Sequence, residues 1–64
     1  MNNNFSELQD NTVVWLTVKT LTGKTGKIKG YKVQYQDKYS KQHVEFRYPD
    51  GGYLPHDVLG WENL

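Results

Sequence analysis

Few residues in this chain are equipped for covalent chemistry. It has no cysteine, so it can form no disulfide, thiolate nucleophile or cysteine-held zinc site. Each of its two histidines has an acid close by, as His43-x-Glu45 and His56-Asp57. On an extended segment His43 and Glu45 project from one face, which reads as a solvated polar surface. A hydrolytic zinc centre built on His-x-Glu also needs Pro-Cys-x-x-Cys, which the chain lacks. His56-Asp57 has no nucleophile beside it, and Asp57 is better suited to bonding backbone in a turn. Ser40 has no base at a predictable position. Gly23-Lys24-Thr25 resembles the end of a phosphate-cradling loop, but the glycine required five positions before the Gly-Lys pair is Val18. Gly23-Lys24-Thr25-Gly26 also has the spacing of an RNA-clamping Gly-x-x-Gly loop, which needs helices on both sides. Strand-like sequence flanks it here. No catalytic residue, metal or cofactor is expected.

The other chemistry is charge and aromatic surface. The chain has 64 residues and a net charge of +1. That sum hides an asymmetry: seven of the eight basic residues lie between Lys19 and Lys41, where Asp37 is the sole acid. The flanking segments are acidic, so local fields rather than net charge would steer a partner. Lys24, Lys27, Lys29, Lys32, Lys38 and Lys41, with Tyr39, form a candidate nucleic-acid surface of the basic-plus-aromatic kind. The bland reading is a solvated lysine face that discourages edge-to-edge association. Trp15, Tyr35, Tyr48, Tyr53 and Trp61 are candidate protein-binding anchors, since exposed Trp and Tyr dominate interface energetics. Cover of Trp15 by the Phe5–Leu8 segment is the competing reading.

The elements that must position these groups are strands. From 12 to 20 the chain alternates, with Val14, Leu16 and Val18 on the core side and Val13, Trp15, Thr17 and Lys19 opposite. Glycines 23 and 26 mark a loop. Ile28 stands between Lys27 and Lys29, and Gly30 then breaks the pattern. Tyr31, Val33 and Tyr35 next share one side, and Lys32, Gln34 and Gln36 the other. This change of parity predicts a one-residue bulge at Gly30, which would turn the lysines outward as a stripe. Val44, Phe46 and Tyr48 alternate with His43, Glu45 and Arg47. Pro49-Asp50-Gly51-Gly52 reads as a hairpin turn and Tyr53-Leu54 as a short strand. Pro55–Leu59 reads as a 3₁₀ turn, before a closing strand from Trp61. Residues 1–11 are expected to be a flexible or partly packed N-terminal segment and residues 12–64 the folded domain. The longest apolar run, Val13–Leu16, is far short of the ~20 residues of a membrane helix. There is no signal-peptide pattern, and a cytoplasmic location is expected.

Five short strands with a 3₁₀ turn before the last resemble the SH3-like small β-barrel. Gly52-Tyr53-Leu54-Pro55-His56-Asp57-Val58-Leu59 is similar to the Gly-x-aliphatic-Pro-x-Asn-Tyr-Val segment that closes SH3 barrels. Leu21–Tyr31, with Gly26-Lys27-Ile28-Lys29-Gly30, is similar to KOW-type elements. Both patterns speak to fold more than to activity. The early Ala-Leu-Tyr-Asp-Tyr and third-strand tryptophan of proline-peptide-binding SH3 domains have no counterpart here. Type II dihydrofolate reductases are similar in size and in Gly-x-Ile-x-Gly. Where they carry catalytic Val-Gln-Ile-Tyr before a proline, this chain has Gly51-Gly52-Tyr53-Leu54-Pro55. The expectation is therefore an all-β, five-stranded SH3-like barrel acting as a small non-catalytic interaction module, a bacterial or phage accessory protein. Its expected partner is another protein, or a second copy of the chain as a homodimer. RNA or DNA is the alternative partner and no membrane role is expected.

Overall fold

The β-branched alternation of the first half does form strands. The computed structural model describes residues 1–64. It is all-β, with strands β1 (Val14–Lys19), β2 (Thr25–Gln36), β3 (Gln42–Arg47) and β4 (Asp57–Glu62). They lie in the order β3-β2-β1-β4, every neighbour antiparallel. β2 is long because it serves two partners: its first half pairs with β1 from Thr25 to Gly30, and its second half with β3 from Tyr31 to Gln36. No helix is long and apolar enough to cross a membrane.

Four strands form where five were expected. Tyr53-Leu54 is reduced to a single bridge between Tyr53 and Arg47, with the Leu54 amide donating to the Phe46 carbonyl at 3.1 Å. Pro55 follows at once and has no N–H to extend a ladder. The expected 3₁₀ turn at Pro55–Leu59 is also absent, because β4 already begins at Asp57. Extended backbone there continues the pairing with β1, setting Asp57 against Lys19 and Val58 against Val18. The one 3₁₀ turn is Phe5–Glu7, started by Asn4, whose side-chain oxygen accepts from the Ser6 amide and hydroxyl. That is an N-cap satisfying otherwise orphaned donors.

The predicted bulge at Gly30 does not form. The β1–β2 register runs unbroken to Gly30 and the β2–β3 register starts at Tyr31. The irregularity lies instead in the β1–β4 pairing, between Thr17 and Val18. Gly30 turns the strand from one partner to the next by close approach. A Cβ there would sit 2.7 Å from the Arg47 carbonyl oxygen and 2.7 Å from the Leu16 side chain. With no residue inserted, parity is conserved, so Lys32 follows Ile28 and Gly30 to the inside, and Tyr31, Val33 and Tyr35 face outward.

The core is small: Leu8, Val14, Leu16, Val18, Leu54 and Trp61, flanked by Phe5, Ile28, Phe46, Tyr48 and Val58. The N-terminal segment completes it. Phe5 meets Phe46 edge-on with centroids 5.3 Å apart. Asn2 exchanges both backbone bonds with Trp61, and the Trp61 indole N–H donates to the Asn4 carbonyl at 3.1 Å.

Candidate functional site

Directly paired residues of antiparallel strands point to the same side, so the outer face of β2 and β3 can be read from the register. Tyr31 lies opposite Arg47, Val33 opposite Glu45 and Tyr35 opposite His43. The bridge from Arg47 extends the first row to Tyr53. The result is a face bearing three tyrosines, a valine, an arginine and a histidine on strand backbone. Tyr35 is 46% and Tyr53 65% exposed.

The polar groups of this face are held before any partner arrives. Arg47 donates from Nη2 to Glu45 Oε1 at 3.0 Å and from Nη1 to the Gly51 carbonyl at 2.9 Å. Gly51 has φ of 94°, a left-handed conformation that glycine adopts freely, and so presents its carbonyl from the turn. The His43 ring stacks on Tyr35, with centroids 5.1 Å apart and planes 21° apart. His43 Nε2 lies 2.7 Å from Asp37 Oδ2. The other Asp37 oxygen accepts from the Tyr39 and Lys41 amides at 2.8 and 3.0 Å. The His43 hydrogen bond, followed by the Lys41 amide, holds the Asp37 carboxyl below its ordinary value of 3.8, against the opposing effect of burial. Asp37 thus fixes the imidazole and closes the β2–β3 turn with one side chain.

Of the five aromatics expected at a protein interface, Tyr35 and Tyr53 meet on this face. Trp61 does not: it is a core residue, 9% exposed, because the N-terminal segment covers it. Tyr48 is half-buried against the core. Trp15 lies half-buried on the outer side of β1, with the Lys29 ammonium 5.4 Å from its ring centroid. The Phe5–Leu8 segment joins the core instead of serving as its cover. Tyr31 and Val33, expected on the core side, join the face, and His43 and Arg47, outward by alternation as expected, were not named as candidate anchors. Unbroken period-2 counting through Gly30 would have found the first two.

The six candidate lysines do not form one stripe. Lys32 is 2% exposed, its ammonium donating to the Phe5 carbonyl at 2.8 Å and paired with Asp10 at 3.1 Å. Lys27 pairs with Glu62 at 2.9 Å. That hydrogen bond and the Lys27 charge hold the Glu62 carboxyl below its ordinary 4.5. Lys24 is exposed in the β1–β2 turn, whereas Lys38, Tyr39 and Lys41 are exposed in the β2–β3 turn at the other end of β2. Lys38 lies over Tyr39, 5.2 Å from its centroid.

Two concavities flank the sheet. A cleft of about 400 Å³ lies between Lys19–Gly23 and Pro55–Asp57, and an apolar groove of about 300 Å³ lies between Phe5 and Val44. No group of three or more His, Asp or Glu side chains is placed to hold a metal ion. No protein-family model matches the chain, and comparisons with curated proteins and with solved structures return no match.

Proposed function

We propose that this chain is a non-catalytic interaction module of SH3-like type that binds another protein through the outer face of β2 and β3. The architectural part of this reading rests on β2, whose two halves serve different partners, and on the Arg47–Tyr53 bridge that begins to wrap the sheet. The functional part rests on one observation: the Tyr31–Arg47–Tyr53 row beside the Tyr35–His43 stack. Tyrosine and arginine are the residue types that anchor protein interfaces. Anchors already held by stacking and hydrogen bonds lose less side-chain freedom on binding.

The electrostatics favour protein over nucleic acid. The Arg47 charge is balanced by Glu45, which leaves the face no unpaired arginine, and the Glu45 and Asp37 carboxylates on the face repel phosphate. A partner surface presenting apolar groups with backbone or side-chain donors fits better. Affinity capture from the source cells tests the reading. Tyr35→Ala/Tyr53→Ala, folded by circular dichroism, loses the captured protein, while Lys27→Ala/Lys29→Ala on the other half-sheet retains it. Equal capture by both variants contradicts the reading. A labelled oligonucleotide bound at low salt with a steep salt slope would replace it with the nucleic-acid alternative.

A further inference from the structure

Strand β3 is paired along one edge and open along most of the other. At its start Lys41 turns its backbone toward β2, its carbonyl accepting from the Asp37 amide at 3.0 Å and its amide donating to Asp37 Oδ1 at 3.0 Å. At its far end the Phe46 carbonyl turns the opposite way, to the Leu54 amide. Backbone groups alternate in direction along an antiparallel strand. Gln42 and Val44 therefore aim their N–H and C=O groups away from β2. Beyond β2, the only pairing β3 makes is at Arg47. Val44 is 54% exposed although it shares the inward face of Phe46, and it borders the groove whose other wall is Phe5. Edge strands are commonly blunted by charged side chains, proline or a bulge. Gln42-His43-Val44-Glu45 has no proline or bulge, and its charges are Glu45 and the adjoining Lys41, which are of opposite sign.

We infer that this edge pairs with the same edge of a second copy, antiparallel, about a two-fold axis at His43. That register sets Gln42 opposite the partner's Val44, and Val44 opposite the partner's Gln42. Both are pairs that exchange two backbone hydrogen bonds. On the outer face it sets Lys41 opposite the partner's Glu45 on both sides of the axis; Arg47 bonds Glu45 Oε1, leaving Oε2 to face Lys41, and cross-strand pairs of opposite charge are favourable. On the inner face Val44 and the apolar groove of each copy come together. A register centred on Val44 is disfavoured, because it brings Gln42 against Phe46, whose carbonyl Leu54 already occupies. The charge pattern is thus self-complementary in the register that the free backbone groups select. Such an isologous contact closes after two copies. This inference concerns the strand edge; it shares Glu45 with the outer face, and Lys41→Glu tests it without touching the residues of the protein-binding reading.

Sedimentation equilibrium over a concentration series up to millimolar tests it. The wild-type chain reaches twice its 7.5 kDa mass. Lys41→Glu, whose side chain has no intramolecular partner to lose, sets like charges opposite each other on both sides of the axis. It raises the dissociation constant by about fourfold or more, because two cross-strand attractions become two repulsions. Glu45→Lys acts likewise, and Lys41→Glu/Glu45→Lys restores association toward the wild-type value. Folding of each variant is checked by circular dichroism, and Lys41→Glu alone carries the test if Glu45→Lys does not fold. A wild-type chain that stays monomeric, a dimer indifferent to Lys41→Glu, or a folded double variant no better than the folded single ones overturns the proposal.

Discussion

Lys32 is where an interior lysine and an outward stripe make opposite predictions. Its stem lies inside the sheet and its ammonium meets the Phe5 carbonyl and Asp10. Lys32→Ala removes about three buried methylenes, worth about 0.8 kcal/mol each. It also removes hydrogen bonds from a charged donor, ordinarily worth roughly 1.5–3 kcal/mol. The second contribution is discounted because Asp10 is partly exposed and can turn to water. The expected cost is about 3 kcal/mol, a melting point lower by roughly 12–24 °C in a domain of this size. Lys32→Met keeps the stem and removes the cost of desolvating an ammonium, so it stays within about 1 kcal/mol of the parent in either direction. Urea denaturation of the three proteins measures both values. On an exposed stripe either change would fall within about 0.5 kcal/mol of the parent. A Lys32→Ala variant that stable refutes the conserved parity through Gly30 and the packing of the N-terminal segment.

Further predictions concern the bend, the core and acid. Gly30→Ala forces a methyl against the Arg47 carbonyl and Leu16, so it costs about 2–3 kcal/mol, the upper part of the range for overpacking; a neutral result by thermal denaturation would contradict the bend. Trp61→Ala costs about 3–5 kcal/mol as a core truncation, whereas Tyr53→Ala changes stability by less than about 1 kcal/mol, and reversal of that order would exchange their roles. Because Asp37 is held below 3.8 and Glu62 below 4.5 in the fold, the stability each contributes is full above its ordinary value. It is lost as pH falls through the lowered one. Asp37→Asn therefore flattens the acid limb of a stability–pH curve below about pH 4, and an unchanged slope would argue against the His43–Asp37 bond.

Local periodicity was legible and long-range cover was not. Val14, Leu16 and Val18 alternate as read because β1 is unbroken from Val14 to Lys19 and pairs in continuous register with β2. At Gly30 polarity misleads: Tyr31, Val33 and Tyr35 look more apolar than Lys32 and Gln34, yet they face outward. A lysine stem is itself apolar, and its ammonium is satisfied by Phe5, 27 positions away. No window of a few residues contains that contact. Trp61 is covered in the same way by Asn4, 57 positions away. A tryptophan near a chain end therefore reads as exposed until the other end is placed. Tyr53 is legible as surface because it alternates with Leu54, which the core buries. Arg47 is legible as outward-facing from its alternation with Phe46 and Tyr48, but its pairing with Tyr31, 16 positions earlier, is not contained in any local window.

Site-specific photo-crosslinking addresses the binding face most directly. A photoreactive phenylalanine analogue is placed at Tyr53 on the outer face of β2 and β3, or at Lys29 on the other half-sheet, and irradiated in the source cells. The account predicts a discrete protein adduct from position 53, abolished by Tyr35→Ala in the same chain, and none from position 29. An adduct from position 29 with none from position 53 contradicts it.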